Sequence, residues 1–241
     1  MNATATTRQR RPSPKSLARW VGLLFLATMV GGGIAQGGIA GSIIVSGDAA
    51  ATAANIAAHQ ALYRLGLAAY LVEMACQVAM TVLLYELLKP VSRTASAVSA
   101  AFGLVGCTIK TVARLFYLAP LLMLDGAPSL AAFDTAQLQA ASAFSLRINY
   151  SAETIAMVFF GLDTVFKGYL ILRSTFLPRA LGFLSVAGGL GWLLYLYEPV
   201  ARPLAGWIVG TGVLGALVEV TWLLVKGVDE QRWREQAGLA A

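Results

Sequence analysis

Charged residues are scarce in this 241-residue chain, where Asp, Glu, Lys and Arg make up only 12% and hydrophobic residues 58%. A soluble protein of this size needs far more polar surface to cover its core. No long stretch alternates at period two, which argues against an outer-membrane β-barrel. Apolar runs of about 20 residues recur instead, and the mean hydropathy is +0.70. Because a helix pairs its backbone polar groups internally in lipid, these runs predict an all-α membrane protein.

Histidine and cysteine are almost absent. The single histidine, His59, argues against a histidine-based metal or haem site. Cys76 and Cys107 form no C-x-x-C pair, and both fall in apolar runs, which predicts reduced core cysteines. The short motifs of metalloproteases, P-loop proteins and α/β-hydrolases are also missing. The sequence therefore predicts no metal and no cofactor, and it favours a non-enzymatic role while leaving catalysis open.

Six apolar segments are long enough to cross a bilayer, which predicts one bundle of about six transmembrane helices. They cover residues 17–45, 63–88, 95–124, 148–172, 178–197 and 204–226. The domain assignment that follows is a transmembrane domain over 17–228, between a basic, disordered tail over 1–16 and a short C-terminal tail over 229–241.

Lysine and arginine concentrate in alternate connections between the segments. One side holds most of them: Arg8, Arg10, Arg11, Lys15, Arg19, Lys89, Arg93, Arg173, Arg179, Lys226, Arg232 and Arg234. The other side has only Arg64, Arg147 and Arg202. The positive-inside rule then predicts that both termini are cytoplasmic and that the protein is a multi-pass protein of a bacterial inner (plasma) membrane. Membrane topology thus explains the basic charge without a nucleic-acid partner. The lipid bilayer is the expected partner, and no oligomeric state is specified.

Two of the predicted outer connections begin with a helix-capping aspartate. Asp48 precedes an alanine-rich stretch, and Asp134 opens "DTAQ", in which Gln137 completes a capping box. Each is expected to start a short outer-face helix that runs into the next span, passing Arg64 or Arg147 near the membrane surface, either as a plain surface helix or as part of a lid or vestibule. The stretch "GGGIAQGG" of span one predicts a close-packing face or an unwound segment lining a cavity.

The stretch "GLVGCTIKTVARLFYLAPLLML", residues 103–124, carries Lys110 and Arg114 one turn apart in an otherwise apolar span. An ionisable group inside a bilayer normally faces protein or water and has a partner. Counting residues from the span ends places Arg114 level with Glu73, and Lys110 level with Asp163 and Glu219.

Asp163 also lies four residues before Lys167. That spacing favours a pair within one helix.

The charged residues within spans two, three, four and six predict one buried polar cluster. The candidate ligand-binding residues are Glu73, Lys110, Arg114, Glu153, Asp163 and Glu219. Their neighbours in sequence and depth include Gln77, Asn149, Tyr150 and Thr111. The acids outnumber the bases, and a surplus carboxyl in a wet cavity suits ion, proton or ligand binding.

Three functions are compatible with this cluster. One is a small transporter or ligand-binding membrane protein with a small polar or lipid ligand. Another is a membrane-embedded enzyme that acts on a lipid or isoprenoid headgroup, with a carboxylate as base. The third is a structural or accessory protein in which the ion pairs only fix helix packing.

Three segments carry a family resemblance. They are "FFGLDTVFKGYLILRSTFLPRALGFLSVAGGLGWL" (159–193), "SGDAAATAANIAAHQALYRLGLAAYLVE" (46–73) and "LVEVTWLLVKGV" (217–228). Together they resemble an uncharacterised family of bacterial membrane proteins known as domain of unknown function 4386. The resemblance implies a six- or seven-span integral membrane protein and implies no activity. The positions matching the family's motifs are Asp48, Thr52, Asn55, Phe160, Gly161, Gly168, Ser174, Pro178, Arg179 and Gly182.

Overall fold

The computed structural model describes residues 13–239, which form helices and connections with no strand among them. Six helices in this part of the chain are long and apolar enough to cross a membrane, which confirms the predicted fold class. We name them spans one to six: Pro14–Ile43, Gln60–Leu88, Arg93–Met123, Thr135–Arg173, Arg179–Leu196 and Glu198–Val225.

The two capping aspartates begin helices as the sequence predicts, but the helices continue differently. Asp48 accepts a hydrogen bond from Ala51 N at 2.8 Å and starts the separate helix Ala49–Ala58, which ends at His59 before span two begins. Asp134 and Gln137 form the full capping box. From there the helix runs unbroken for 39 residues, so it continues into span four as predicted.

The spans form a closed ring. Each span packs against the next one in sequence, and span one completes the ring by packing against span six. Helix Ala49–Ala58 packs mainly on span four. Its Asn55 donates to Ile43 O at 3.0 Å, and its Thr52 hydroxyl accepts from Val45 N, also at 3.0 Å. These two side chains satisfy backbone groups at the end of span one, where the helix leaves them without intrahelical partners.

Four glycines bring spans four and five into backbone contact. Gly161 and Gly168 lie seven residues apart on span four, as do Gly182 and Gly189 on span five, so each pair lies on one helix face. A Cβ at Gly168 would lie 2.9 Å from Gly182 O, and one at Gly189 would lie 2.8 Å from Gly161 O. We call this contact the glycine seam. It is the close packing that small residues permit between membrane helices.

Span one does not unwind at its glycines. Residues Gly33–Ala40 form a π-helix within the continuous span. Gly31 and Gly32 lie against Glu73 of span two, whereas Gly33, Gly37 and Gly38 have open space where a Cβ would lie. The segment therefore combines a short close-packed part with a helical part of altered winding, a feature that is frequent at functional sites.

Basic residues concentrate at one end of the ring, which we call the basic end. The basic end carries Lys15, Lys89, Arg173, Arg179 and Lys226. A C-terminal helix, Glu230–Gln236, also lies at this end. Trp233 Nε1 donates to Leu87 O at 2.8 Å, and Gln236 Oε1 accepts from Thr175 N at 2.9 Å.

Parts of both segments that the sequence predicts as tails are helical and lie at this end. Glu230 accepts a hydrogen bond from the Lys15 backbone N–H at 3.2 Å. Span one begins at Pro14, within the segment predicted as the N-terminal tail, while residues 1–12 of that tail lie outside the described residues.

Candidate functional site

Three ion pairs join different spans in the interior of the ring. Lys110 of span three donates to Glu73 of span two at 2.5 Å. Arg114 of span three pairs with Glu153 of span four. Lys167 of span four pairs with Glu219 of span six at 2.8 Å. The pairs lie at different levels, since Arg114 is one turn beyond Lys110 along span three and Lys167 is close to the end of span four at Arg173.

Arg114 is the most enclosed of the cations, with 2% of its surface exposed. Its Nη1 donates to Glu153 and, at 3.1 Å, to Asn149 Oδ1. The guanidinium carbon lies 3.6 Å from the ring centroid of Tyr70, which is a close cation–π geometry.

Two further tyrosines complete this surrounding. Tyr117 stacks on Tyr63 with ring centroids 4.2 Å apart and meets Tyr70 edge-on at 5.3 Å. Tyr63 OH donates to Tyr117 O at 2.6 Å. The arginine is thus held in a polar and aromatic setting, which suits guanidinium better than a compact ammonium.

Glu73 pairs with Lys110, although residue counting had placed it level with Arg114. Its Oε1 accepts the lysine bond, while its buried Oε2 has no hydrogen-bond partner among the described residues. Gly32 of span one makes room for this carboxylate, because a Cβ there would lie 3.0 Å from Glu73 Oε1. Span one therefore closes over the pair.

Asp163 and Lys167 do not form the predicted intrahelical pair. Lys167 reaches across to Glu219, whose carboxylate lies on the neighbouring span six. Asp163 instead meets span three, where Ser99 Oγ lies 2.6 Å from its Oδ1 and 3.1 Å from its backbone carbonyl oxygen. A Cβ at Gly103, one turn from Ser99, would lie 3.0 Å from Asp163 Oδ2. Within residues 13–239 no cation lies within 4.0 Å of this carboxylate.

A central cavity of about 940 Å³ lies inside the ring and takes wall residues from all six spans. Of the six predicted site residues, the cavity wall includes Glu73, Lys110, Glu153, Asp163 and Glu219. Arg114 lies behind this wall, in contact with Tyr70 and Glu153, which both line the cavity.

The structure also adds residues that sequence reasoning had not assigned to the site. Lys167 lines the cavity and is the partner of Glu219. Gln36 of the π-helix lines it and accepts a hydrogen bond from Tyr70 OH. Ser99 lies outside the cavity wall and donates a hydrogen bond to Asp163 Oδ1. Lys167 had a sequence signal, since it is a cation inside an apolar run, but its four-residue spacing from Asp163 pointed to the wrong partner.

The fold and this interior define a multi-pass helical membrane protein with a charged central cavity. Residues 20–227 match the family described as Domain of unknown function (DUF4386), and the chain belongs to this family. It is also similar to an uncharacterized protein of Archaeoglobus fulgidus, at 28% identity over 153 residues that cover 62% of this chain and 76% of the relative. No solved structure matches the chain.

The family positions named from the sequence have structural roles away from the ion pairs. Asp48, Thr52 and Asn55 join helix Ala49–Ala58 to the end of span one. Gly161, Gly168 and Gly182 belong to the glycine seam. Phe160 packs against Gly106 of span three, and Ser174 and Pro178 end span four and begin span five. These positions therefore belong to the scaffold and do not assign a role to the cavity.

Proposed function

We propose that this protein is a small transporter or ligand-binding membrane protein, and that its central cavity holds a small polar or amphipathic ligand with a charged group. The observation that carries this proposal is the cavity of about 940 Å³ whose wall includes five of the six predicted residues. Its volume is at the upper end of the range of small-molecule sites.

The chemistry of the wall suits a ligand that has both charged and apolar parts. Lys110, Lys167 and Asp163 supply charges of both signs at separate levels of the cavity. Between them the wall is apolar, with side chains such as Phe25, Met74, Met157, Phe160 and Trp192. Pockets of this kind bind through a large apolar area and a few polar groups that fix orientation.

A carboxylate acting as an enzymatic base is less well supported by this geometry. Glu73 and Glu153, the two carboxylates suggested for that role, are each engaged by a cation. A packing-only role accounts for the three ion pairs, but it gives no reason for a large cavity beside them.

The test is native mass spectrometry of the protein in lipid nanodiscs, which detects bound species directly. We expect a reproducible adduct that is lost in Lys110→Met. Because this change leaves Glu73 buried without its cation, at a cost of about 3–5 kcal/mol, the charge-balanced double variant Lys110→Met/Glu73→Gln is measured beside it. We expect the double variant to fold and still to lose the adduct.

Lys89→Met is the matched control, because Lys89 pairs with Glu86 near the end of span two and lies outside the cavity. This variant should keep the adduct. An adduct that survives in the folded double variant, or the absence of any species beyond bulk lipid in the wild type, would contradict the proposal. The second outcome would favour the packing-only role.

We also propose that both termini face the cytoplasm and that the protein resides in a bacterial inner membrane. The charge asymmetry between the ends of the ring supports this orientation. A C-terminal fusion to green fluorescent protein should then fluoresce, and a C-terminal alkaline phosphatase fusion should be inactive. The reverse pattern would place the basic end outside.

A further inference from the structure

Asp163 lies between two spaces in the bundle. Its carboxyl lines the central cavity, and it also lines a separate void of about 10 Å³ between spans two, three and four. That volume has room for about one water molecule. The rest of its wall consists of five polar residues and three apolar ones: Thr81, Tyr85, Ser96, Ser99 and Lys167, with Leu84, Leu88 and Ala100.

The void extends from Asp163 toward the basic end. Ser96 and Tyr85 lie close to the connection between spans two and three, and Ser96 Oγ donates to Tyr85 O at 3.1 Å. Ser99 Oγ contacts Asp163 directly. A series of hydroxyl groups and one water-sized space therefore connects the carboxyl with the last turn of span two and the first turns of span three. Hydroxyl groups donate and accept hydrogen bonds, as a proton path requires.

The interior charges around the cavity do not balance. Glu73, Glu153 and Glu219 are matched by Lys110, Arg114 and Lys167. Asp163 is the fourth acid against these three cations. With Asp163 protonated, the group of Asp163, Lys167 and Glu219 is neutral, and with Asp163 ionised the group carries one negative charge.

We propose that Asp163 is a proton-exchange site that connects the central cavity with the basic end. In the exchange the carboxyl O–H bond breaks, the proton moves to a water oxygen in the void, and the electron pair stays on the carboxylate. The ionised carboxylate then shares Lys167 with Glu219, because Lys167 lies one turn away on the same helix face. The inference rests on the proposed cavity function, since it identifies the proton as a second species that the cavity exchanges.

Other titratable groups surround this carboxyl. Lys167 shares its helix, Glu219 lies on span six, Cys107 on span three and Tyr85 on span two. The Glu73–Lys110 pair lies in the same cavity wall. A test must therefore separate Asp163 from the remaining carboxyls.

The test is infrared difference spectroscopy of the whole protein in nanodiscs during a pH titration, without added ligand. A protonated carboxyl has a carbonyl stretch that a carboxylate lacks. Every carboxyl of the protein contributes to this absorption, so the band of Asp163 is the difference between the wild type and Asp163→Asn, and we expect that difference to contain one titrating carbonyl component. Ser99→Ala, which deletes the hydroxyl at Asp163 Oδ1, should move the midpoint of this band by about one pH unit. Asp125→Asn, in the connection after span three, should leave the band and its midpoint unchanged.

Titrating carbonyl absorption that is identical in the wild type and in Asp163→Asn would overturn the proposal. If Asp163→Asn does not fold, Ser99→Ala alone decides, since an unmoved midpoint assigns the band to another carboxyl. The infrared band is recorded without ligand, so it can be present even if the wild type shows no adduct in the mass-spectrometric test. The two proposals can therefore fail separately.

Discussion

Two glycine-rich regions of this protein do opposite things. In the glycine seam, four glycines let spans four and five meet backbone to backbone, and any added Cβ would collide with main-chain atoms. In span one, Gly33, Gly37 and Gly38 have no neighbour within 4 Å of the place a Cβ would occupy. The seam is a rigid contact, while the glycine stretch of span one lies beside the cavity in a π-helix.

The difference shows that close packing depends on matching glycines on the facing helix, and not on glycine content alone. Gly161 and Gly168 repeat at seven residues and meet Gly182 and Gly189, which repeat at the same interval on an antiparallel helix. Span one contains the same interval, because Gly31 and Gly38 also lie seven residues apart, but span two, which packs against it, has a single glycine, Gly66, and offers no matching pair. Three predictions test this contrast and a fourth provides a small reference effect elsewhere, in order from the largest expected effect to the smallest.

Gly168→Leu should disrupt the seam most severely. A Cβ at this position would lie 2.7 Å from Val186 Cγ2 and 2.8 Å from Val186 N, and backbone atoms cannot move aside cheaply. We expect a loss of about 3 kcal/mol or more in the free energy of unfolding, at the upper end for overpacking. Reversible unfolding in mixed micelles measures it. Gly38→Leu is the control, and an equal loss there would remove the distinction between the two regions.

Gly32→Ala tests the close-packed part of span one. The new methyl group would lie 3.0 Å from Glu73 Oε1 and would push the carboxylate away from Lys110. We expect a cost of about 1–2 kcal/mol, measured in the same unfolding assay. The cost should disappear in a Glu73→Ala background, because nothing is left to displace. An unchanged cost in that background would show that the methyl group collides with something else.

Gly38→Ala should stabilise the protein slightly. Alanine removes the backbone-entropy penalty of glycine in a helix, which is worth up to about 1 kcal/mol, and no atom lies within 4 Å of the new methyl group. The midpoint of thermal unfolding should therefore rise. A decrease would indicate that this glycine is needed for the π-helical winding.

Glu230→Gln should have the smallest effect on stability, because it changes an exposed contact at the basic end. A hydrogen bond from the Ser13 side chain lowers the pKa of Glu230 below its ordinary value, and the Lys15 backbone N–H contributes in the same direction. A lowered pKa in the folded state means that the stabilisation is present above the unfolded value of about 4.3 and is lost as pH falls through the folded pKa.

The wild type should therefore exceed Glu230→Gln in stability by under about 1 kcal/mol near neutral pH. The difference should vanish in acid. Thermal unfolding of both proteins across this pH range measures it, and a difference that persists at low pH would contradict the assignment.

The sequence was informative wherever the determining interactions are local. Apolar length predicts six spans, and the Asp134–Gln137 capping box predicts a helix start, because both depend on neighbouring residues alone. The start of span four was placed at residue 148 from hydropathy, although the helix begins at Thr135, since its first turns are too polar to read as membrane.

Pairing between helices could not be predicted in the same way. Residue counting placed Glu73 level with Arg114, but the carboxylate pairs with Lys110, because helix tilt and rotation decide which of two residues one turn apart it meets. The spacing of Asp163 and Lys167 favours a local pair, yet Glu219 and Ser99 compete for them from other spans. The cavity depends on all six spans at once, so no segment of sequence encodes it.

The ring has a consequence for biogenesis, because each interior charge is synthesised well before its partner. Glu73 precedes Lys110 by 37 residues, Arg114 precedes Glu153 by 39, and Lys167 precedes Glu219 by 52. When span four leaves the ribosome, the acid already present beside Lys167 is Asp163, four residues earlier in the chain. Insertion into the bilayer must therefore accept a sequence of temporary charge states, and the last span to be made completes both the ring and its final ion pair.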